Sequence, residues 1–92
     1  MRPSLPDWMT PVDRDVLELL ENRGNRELVL NPRLIAENTD WTRTTIREHV
    51  RTLYEHDLLE YYDESGSIYQ LTEKSRAFLA GELDASELDR DE

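Results

Sequence analysis

Arg43, Arg47 and Arg51 recur at four-residue spacing within the stretch NTDWTRTTIREHVRTL, residues 38–53. That spacing stacks side chains on one face of a helix. A guanidinium presents a fork of donors that fits phosphate oxygens or the O6/N7 edge of guanine. Thr44 and Glu48 lie in the same stretch, away from its apolar positions. Threonine can meet a thymine methyl or a phosphate, and glutamate can accept from cytosine N4. Arg43, Thr44, Arg47 and Glu48 therefore form a set suited to base edges in a major groove. Arg51, nearer the C-terminal half, suits phosphate. The plainer alternative is a solvated face on which Glu48 and Glu55 ease the crowding of Arg47 and Arg51.

Other constellations point nowhere further. Arg33 opens the preceding helical stretch and is a candidate phosphate contact. His49 and His56 are seven residues apart, which suggests a metal pair, but His49 adjoins the apolar stripe and no metal site is expected. Asp13, Asp15, Glu18 and Glu21 are read as the solvent face of the first helix, not as catalytic carboxylates. There is no nucleophile–base pairing, no glycine-rich phosphate loop and no cysteine. Thiolate chemistry, disulfides and Cys-bound zinc are thereby excluded. The reading is of a protein that is not an enzyme and needs no cofactor.

The charge of the chain sits oddly with an arginine row. Ninety-two residues carry 21 acidic and 11 basic side chains, for a net charge of −10, and a lone lysine stands against ten arginines. The imbalance is uneven. Residues 1–31 hold 4 basic and 6 acidic side chains, residues 32–51 hold 4 and 3, and residues 52–92 hold 3 and 12. The arginine row falls where acidic residues are scarcest. An acidic, lysine-poor surface fits a halophilic archaeon, because near-molar salt shortens the Debye length to about 3 Å and screens self-repulsion. Uptake of cations by such a surface on binding would flatten or reverse the usual fall of affinity with salt. No apolar run nears the roughly 18 residues that span a membrane, and Met1–Pro11 has no signal-peptide core. A cytoplasmic protein with no membrane contact is expected.

The elements that must position the row follow from caps and periodicity. Residues 1–9, with Pro3 and Pro6, read as an irregular arm in which Trp8 and Met9 staple onto the first helix. Thr10-Pro11 starts that helix, which runs over about 11–22. Leu28-Val29-Leu30 is long enough only for a small strand. Asn31-Pro32 repeats the cap and starts a second helix over about 32–38. After the turn Thr39-Asp40-Trp41, Thr42 caps a third helix over about 43–56, whose Ile46, Val50 and Leu53 form one apolar stripe. Residues 58–63 and 67–71, around a Gly66 turn, read as a β-hairpin. Tyr61 and Tyr62 are consecutive in its first strand, so they face opposite sides and one should be exposed. Trp8, Trp41, Tyr54, Tyr61, Tyr62 and Phe78 are otherwise assigned mostly to the core. A last helix over about 73–81 precedes an acidic tail. The class is mainly α with a small β-hairpin (α+β), in one domain over residues 1–92. Its parts are the arm (1–9), two helices and their turn (32–56), a hairpin (58–71), and a C-terminal helix with its tail (73–92).

That order, carried by LIAENTDWTRTTIREHVRTLYEHDLLEYYDESGSIYQLTEKSRAFL, resembles the winged helix-turn-helix DNA-binding fold. Ala36 supplies the small residue where the two helices approach, Trp41 the apolar turn residue, and Thr42 the cap. More narrowly, WMTPVDRDVLELL, the ending LTEKSRAFLAGELD and the acidity resemble small haloarchaeal repressors related to that of halophage phi-H. The resemblance implies a three-helix core, a wing and a C-terminal helix. It also implies a sequence-specific transcriptional regulator of repressor type, in which helix 43–56 enters the major groove of double-stranded DNA and Thr42 adds a phosphate contact. A homodimer is expected, paired through helix 1, the arm or the last helix. Winged helices serve as protein-interaction modules as well, and this is the rival expectation. Two features depart from the pattern. Asp40 stands where the turn usually has glycine, though aspartate tolerates the left-handed region better than most residues. The wing carries Asp63 and Glu64 and no Arg or Lys, so its grip on phosphate would fall to Ser65, Ser67 and backbone N–H groups.

Overall fold

Three of the four helices among the described residues begin at a residue whose side chain accepts from one of the first free amides. Asn31 accepts from Leu34 N–H at 2.9 Å, Thr42 from Thr45 N–H at 3.2 Å and Thr72 from Ser75 N–H at 3.1 Å. At Thr10 the cap works in the reverse sense, with the Asp13 carboxylate accepting from Thr10 N–H at 2.8 Å and from its hydroxyl at 3.0 Å. The computed structural model describes residues 8–83. Most of the arm (1–7) and the tail (84–92) lie outside the described residues.

Among the described residues, four helices and a hairpin result: α1 Pro11–Glu21, α2 Pro32–Glu37, α3 Arg43–Glu55, β1 Leu59–Asp63, β2 Ile68–Leu71 and α4 Glu73–Leu79. Helix ends are set by backbone geometry. At the end of α3, Asp57 takes φ 63°, its N–H bonds Tyr54 O, and Leu58 N–H reaches back to Leu53 O. The same reversal at Gly81 (φ 81°) ends α4 two residues before the expected limit, with Gly81 bonding Phe78 O and Glu82 bonding Ala77 O. Both are Schellman closures, for which glycine is the natural residue and aspartate a strained one. Strands β1 and β2 pair antiparallel, Leu59 opposite Leu71 and Tyr61 opposite Tyr69. The expected strand at 28–30 shrinks to one bridge, in which Leu30 exchanges both backbone bonds with Tyr69. Pro32 follows at once and has no N–H to continue the ladder.

The core lies where α1, α2, α3 and the hairpin base converge. Val16, Leu17, Leu20, Ile35, Ile46, Leu53, Leu58 and Phe78 are all at most 1% exposed. Met9 joins this core, while Trp8 packs against it and stacks on His56 with ring centroids 3.9 Å apart.

Three expectations are corrected. Asp13 is not on the solvent face: it is 1% exposed and accepts from Thr10 while bonding His49 Nδ1 at 2.9 Å. Asp40 is not in the left-handed region, so the turn does not call for the missing glycine. Tyr61 and Tyr62 are both exposed, because both faces of the strand are open from Glu60 onward, and a bulge between Tyr61 and Asp63 leaves Tyr62 without a cross-strand partner.

Candidate nucleic-acid interface

Helix α3 turns Ile46, Val50 and Leu53 inward and leaves Arg43, Thr44, Arg47, Glu48 and Arg51 exposed. Its placement is fixed by three tertiary ties besides its own cap. Its first turn is closed by Thr42, whose hydroxyl accepts from Thr45 N–H and donates to Thr45 Oγ1 at 3.0 Å. Its middle is tied to α1 by His49 and the buried Asp13. The turn before it is tied to α1 by Trp41 Nε1, which donates to Asp15 at 2.9 Å. At its exit, Thr72 donates to Asp57 O at 2.8 Å and joins the start of α4 to the end of α3.

The four arginines are not equivalent. Arg33 pairs with Glu37 at 3.1 Å and Arg51 with Glu55 at 3.5 Å, each one helical turn away and well exposed. Such exposed pairs are worth roughly 0.3–0.5 kcal/mol, so an incoming phosphate displaces them at little cost. Arg43 and Arg47 have no carboxylate partner among the described residues. Glu48 therefore does not neutralise Arg47, as a purely solvated face would have it.

Two adjoining grooves separate α3 from the wing. The larger, about 520 Å³, runs from Arg47 and Arg51 on the helix to Tyr61, Ser67 and Tyr69 on the wing. The smaller, about 270 Å³, brings Arg33, Arg43 and Arg47 together with Gly66 and Ser67. Ser67 thus sits opposite the arginines, whereas Ser65 donates to Asp63 Oδ1 at 2.9 Å and lines neither groove. Thr44 and Glu48 also stay outside the grooves, on the part of the helix turned from the wing. The two histidines do not converge, since His49 bonds Asp13 and His56 stacks on Trp8.

The sequence reading missed two parts of this arrangement. Asp13 had a visible signal: it stands three, four and seven residues before Val16, Leu17 and Leu20, on the buried face. Tyr54 and Tyr61 were assigned mostly to the core and Tyr69 was placed only in the second strand, and their convergence at the groove had no local signal.

A capped second helix facing a groove, a three-helix core and a two-stranded hairpin define a winged helix-turn-helix protein of DNA-binding regulatory type. The chain belongs to the winged helix-turn-helix phage repressor family, whose model matches residues 1–91. That family is regulatory and not enzymatic. The chain is 35% identical over 85 residues to the repressor protein of Halobacterium phage phiH, an alignment spanning 91% of this chain and 93% of the relative. Its fold matches the crystal structure of the PhiH1 repressor-like protein from Haloarcula marismortui with a TM-score of 0.72 and 30% identity, covering 92% of this chain and 91% of the other.

Proposed function

We propose that this protein is a sequence-specific transcriptional repressor that binds double-stranded DNA as a homodimer in a salt-rich archaeal cytoplasm. Helix α3 lies in the major groove, with Arg43 and Arg47 reading base edges beside Thr44 and Glu48. Arg33, Arg51, Thr42 and Ser67 hold the sugar–phosphate backbone. One observation carries this reading: Arg43 and Arg47 are exposed, have no carboxylate partner among the described residues, and stand opposite a buried stripe on a helix fixed by three tertiary ties. Unpaired guanidiniums in a chain of net charge −10 would readily find carboxylates if they were mere surface. The repressor role draws on the phage phiH relative. A homodimer would read two half-sites about one helical turn apart.

Selection of bound sequences from random duplexes in molar KCl tests the reading. It should return a palindrome, and Arg43→Ala with Arg47→Ala should weaken binding to it by about 100- to 1,000-fold, since a bidentate base contact is worth about 1–3 kcal/mol. Selection that enriches no sequence would refute it.

The rival is a protein-docking module, favoured by the exposed Asp63, Glu64 and Tyr62 of the wing. On that reading the double arginine variant leaves nucleic-acid binding unchanged.

A further inference from the structure

The family reading leaves the wing without an obvious means of holding DNA, because its two strands and their turn contain no Arg or Lys. What the wing does carry is phenol. Tyr61 stacks on Tyr69, with ring centroids 4.8 Å apart and planes 27° from parallel. Tyr54, from the last turn of α3, tilts against Tyr61 at 5.2 Å and stands edge-on to Tyr69 at 6.3 Å. This is not core: Tyr54 is 45% exposed and Tyr61 36%. The three rings border the larger groove together with Arg47 and Arg51.

The hydroxyls decide what this wall can do. Tyr69 donates to Tyr61 with the oxygens 3.3 Å apart. Two hydroxyls hold two hydrogens, and this bond uses one. The hydrogen of Tyr61 has no acceptor among the described residues, and it sits on an exposed ring at the groove. Accepting from Tyr69 polarises that O–H and strengthens it as a donor. Burial above all, then the hydrogen bond with Tyr61 and the neighbouring phenols, pushes Tyr69 up to about 12. Tyr69 therefore keeps its proton at any ordinary pH and goes on anchoring Tyr61.

We propose that Tyr61, anchored by Tyr69 and flanked by Tyr54, donates a hydrogen bond to a phosphate oxygen of a DNA strand lying in the groove. This uncharged clamp takes the place of a cationic wing contact. It rests on the reading of α3 as the DNA-facing surface. The occupant follows from charge and continuity, since Arg33, Arg43, Arg47 and Arg51 border the two grooves and the larger one runs on from the α3 face. The choice of phenol also has a physical logic. A cationic contact draws its strength from counterion release and weakens as salt rises. A neutral hydroxyl displaces no condensed cation, so molar salt leaves its contribution in place.

The test measures affinity for the selected operator and for an unrelated duplex across about a tenfold range of KCl, using the full chain. Tyr61→Phe and Tyr69→Phe keep the rings and remove only the hydroxyls. Tyr61→Phe should weaken binding about five- to tenfold, the upper part of the range for one net hydrogen bond. The loss should be equal on both duplexes and at every salt, so that its line of log affinity against log salt runs parallel to that of the parent. Tyr69→Phe should cost about two- to threefold, because Tyr61 loses its anchor. Arg47→Ala should instead change the slope if it meets phosphate, or weaken the operator selectively if it meets a base. Parent-like binding by Tyr61→Phe overturns the clamp. So does a loss that tracks protein concentration and comes with altered sedimentation of the DNA-free protein, which would assign Tyr61 to a contact between copies. If Arg43→Ala with Arg47→Ala binds as the parent does, the reading of α3 itself fails and the clamp falls with it.

Discussion

Helix α3 and the wing face one another across the same groove with opposite chemistry. The helix offers guanidiniums on its exposed side that, among the described residues, are paired with a carboxylate only at Arg51. The wing offers carboxylates at its tip and phenols on its groove wall. They are also held differently. The helix is pinned by a buried carboxylate and an indole–carboxylate bond, whereas the wing beyond Tyr61 is exposed from Tyr62 to Ser67. The contrast teaches that positive charge is concentrated where the scaffold can aim it. The rest of the surface stays acidic, which suits a salt-rich solvent.

The comparison breaks most decisively at the helix. Loss of both Arg43 and Arg47 should cost about 100- to 1,000-fold in operator affinity, roughly 3–4 kcal/mol, with no change in thermal stability because both side chains are exposed. Unfolding that shifts along with binding would mean that the arginines serve the fold.

The next largest effect concerns how the helix is aimed. Asp13→Ala removes the acceptor for Thr10 N–H and its hydroxyl, together with the partner of His49. Loss of a cap and of a buried hydrogen-bond acceptor should lower stability by about 2–3 kcal/mol, measured by urea unfolding. A loss below about 0.5 kcal/mol would show that α3 is placed by its apolar stripe alone.

These residues also mark where the sequence was legible. Local rules sufficed for Thr42 and Asn31, because a cap and a stripe act within one turn of the chain. The same rules put Arg43, Arg47 and Arg51 opposite Ile46, Val50 and Leu53. They fell short at Asp13, whose partner His49 lies 36 residues away. They fell short again at the tyrosines, where both faces of β1 are open from Glu60 onward and the three rings came from separate elements. Features that depend on tertiary approach leave little trace in local spacing.

A wing that takes no part through charge can be given charge. Glu64 is exposed at the wing tip. Glu64→Lys should raise affinity for any duplex by about three- to tenfold at low salt and make the salt dependence steeper by about one to two, as new cation–phosphate contacts do. Unchanged affinity and slope would mean that the tip stands clear of the DNA, leaving Tyr61 and Ser67 nearer the groove floor as the wing's points of approach.

The smallest expected effect separates fold from contact at Ser67. This residue holds φ 53°, a conformation costing a non-glycine residue about 1 kcal/mol, and it lines both grooves. Ser67→Gly relieves that strain and should stabilise the protein by about 0.5–1 kcal/mol. It also deletes the hydroxyl, so operator affinity should fall about two- to fourfold if that group meets a phosphate, a modest loss for one hydrogen bond. Stability and binding then move in opposite directions, which a change in folding alone does not produce. Ser67→Asn is the companion variant, since asparagine tolerates the left-handed region and keeps a side-chain donor. It should bind within about twofold of the parent. If both variants bind like the parent, Ser67 is a turn residue only. If both lose affinity equally, the shape of the turn and not the donor is what the DNA meets.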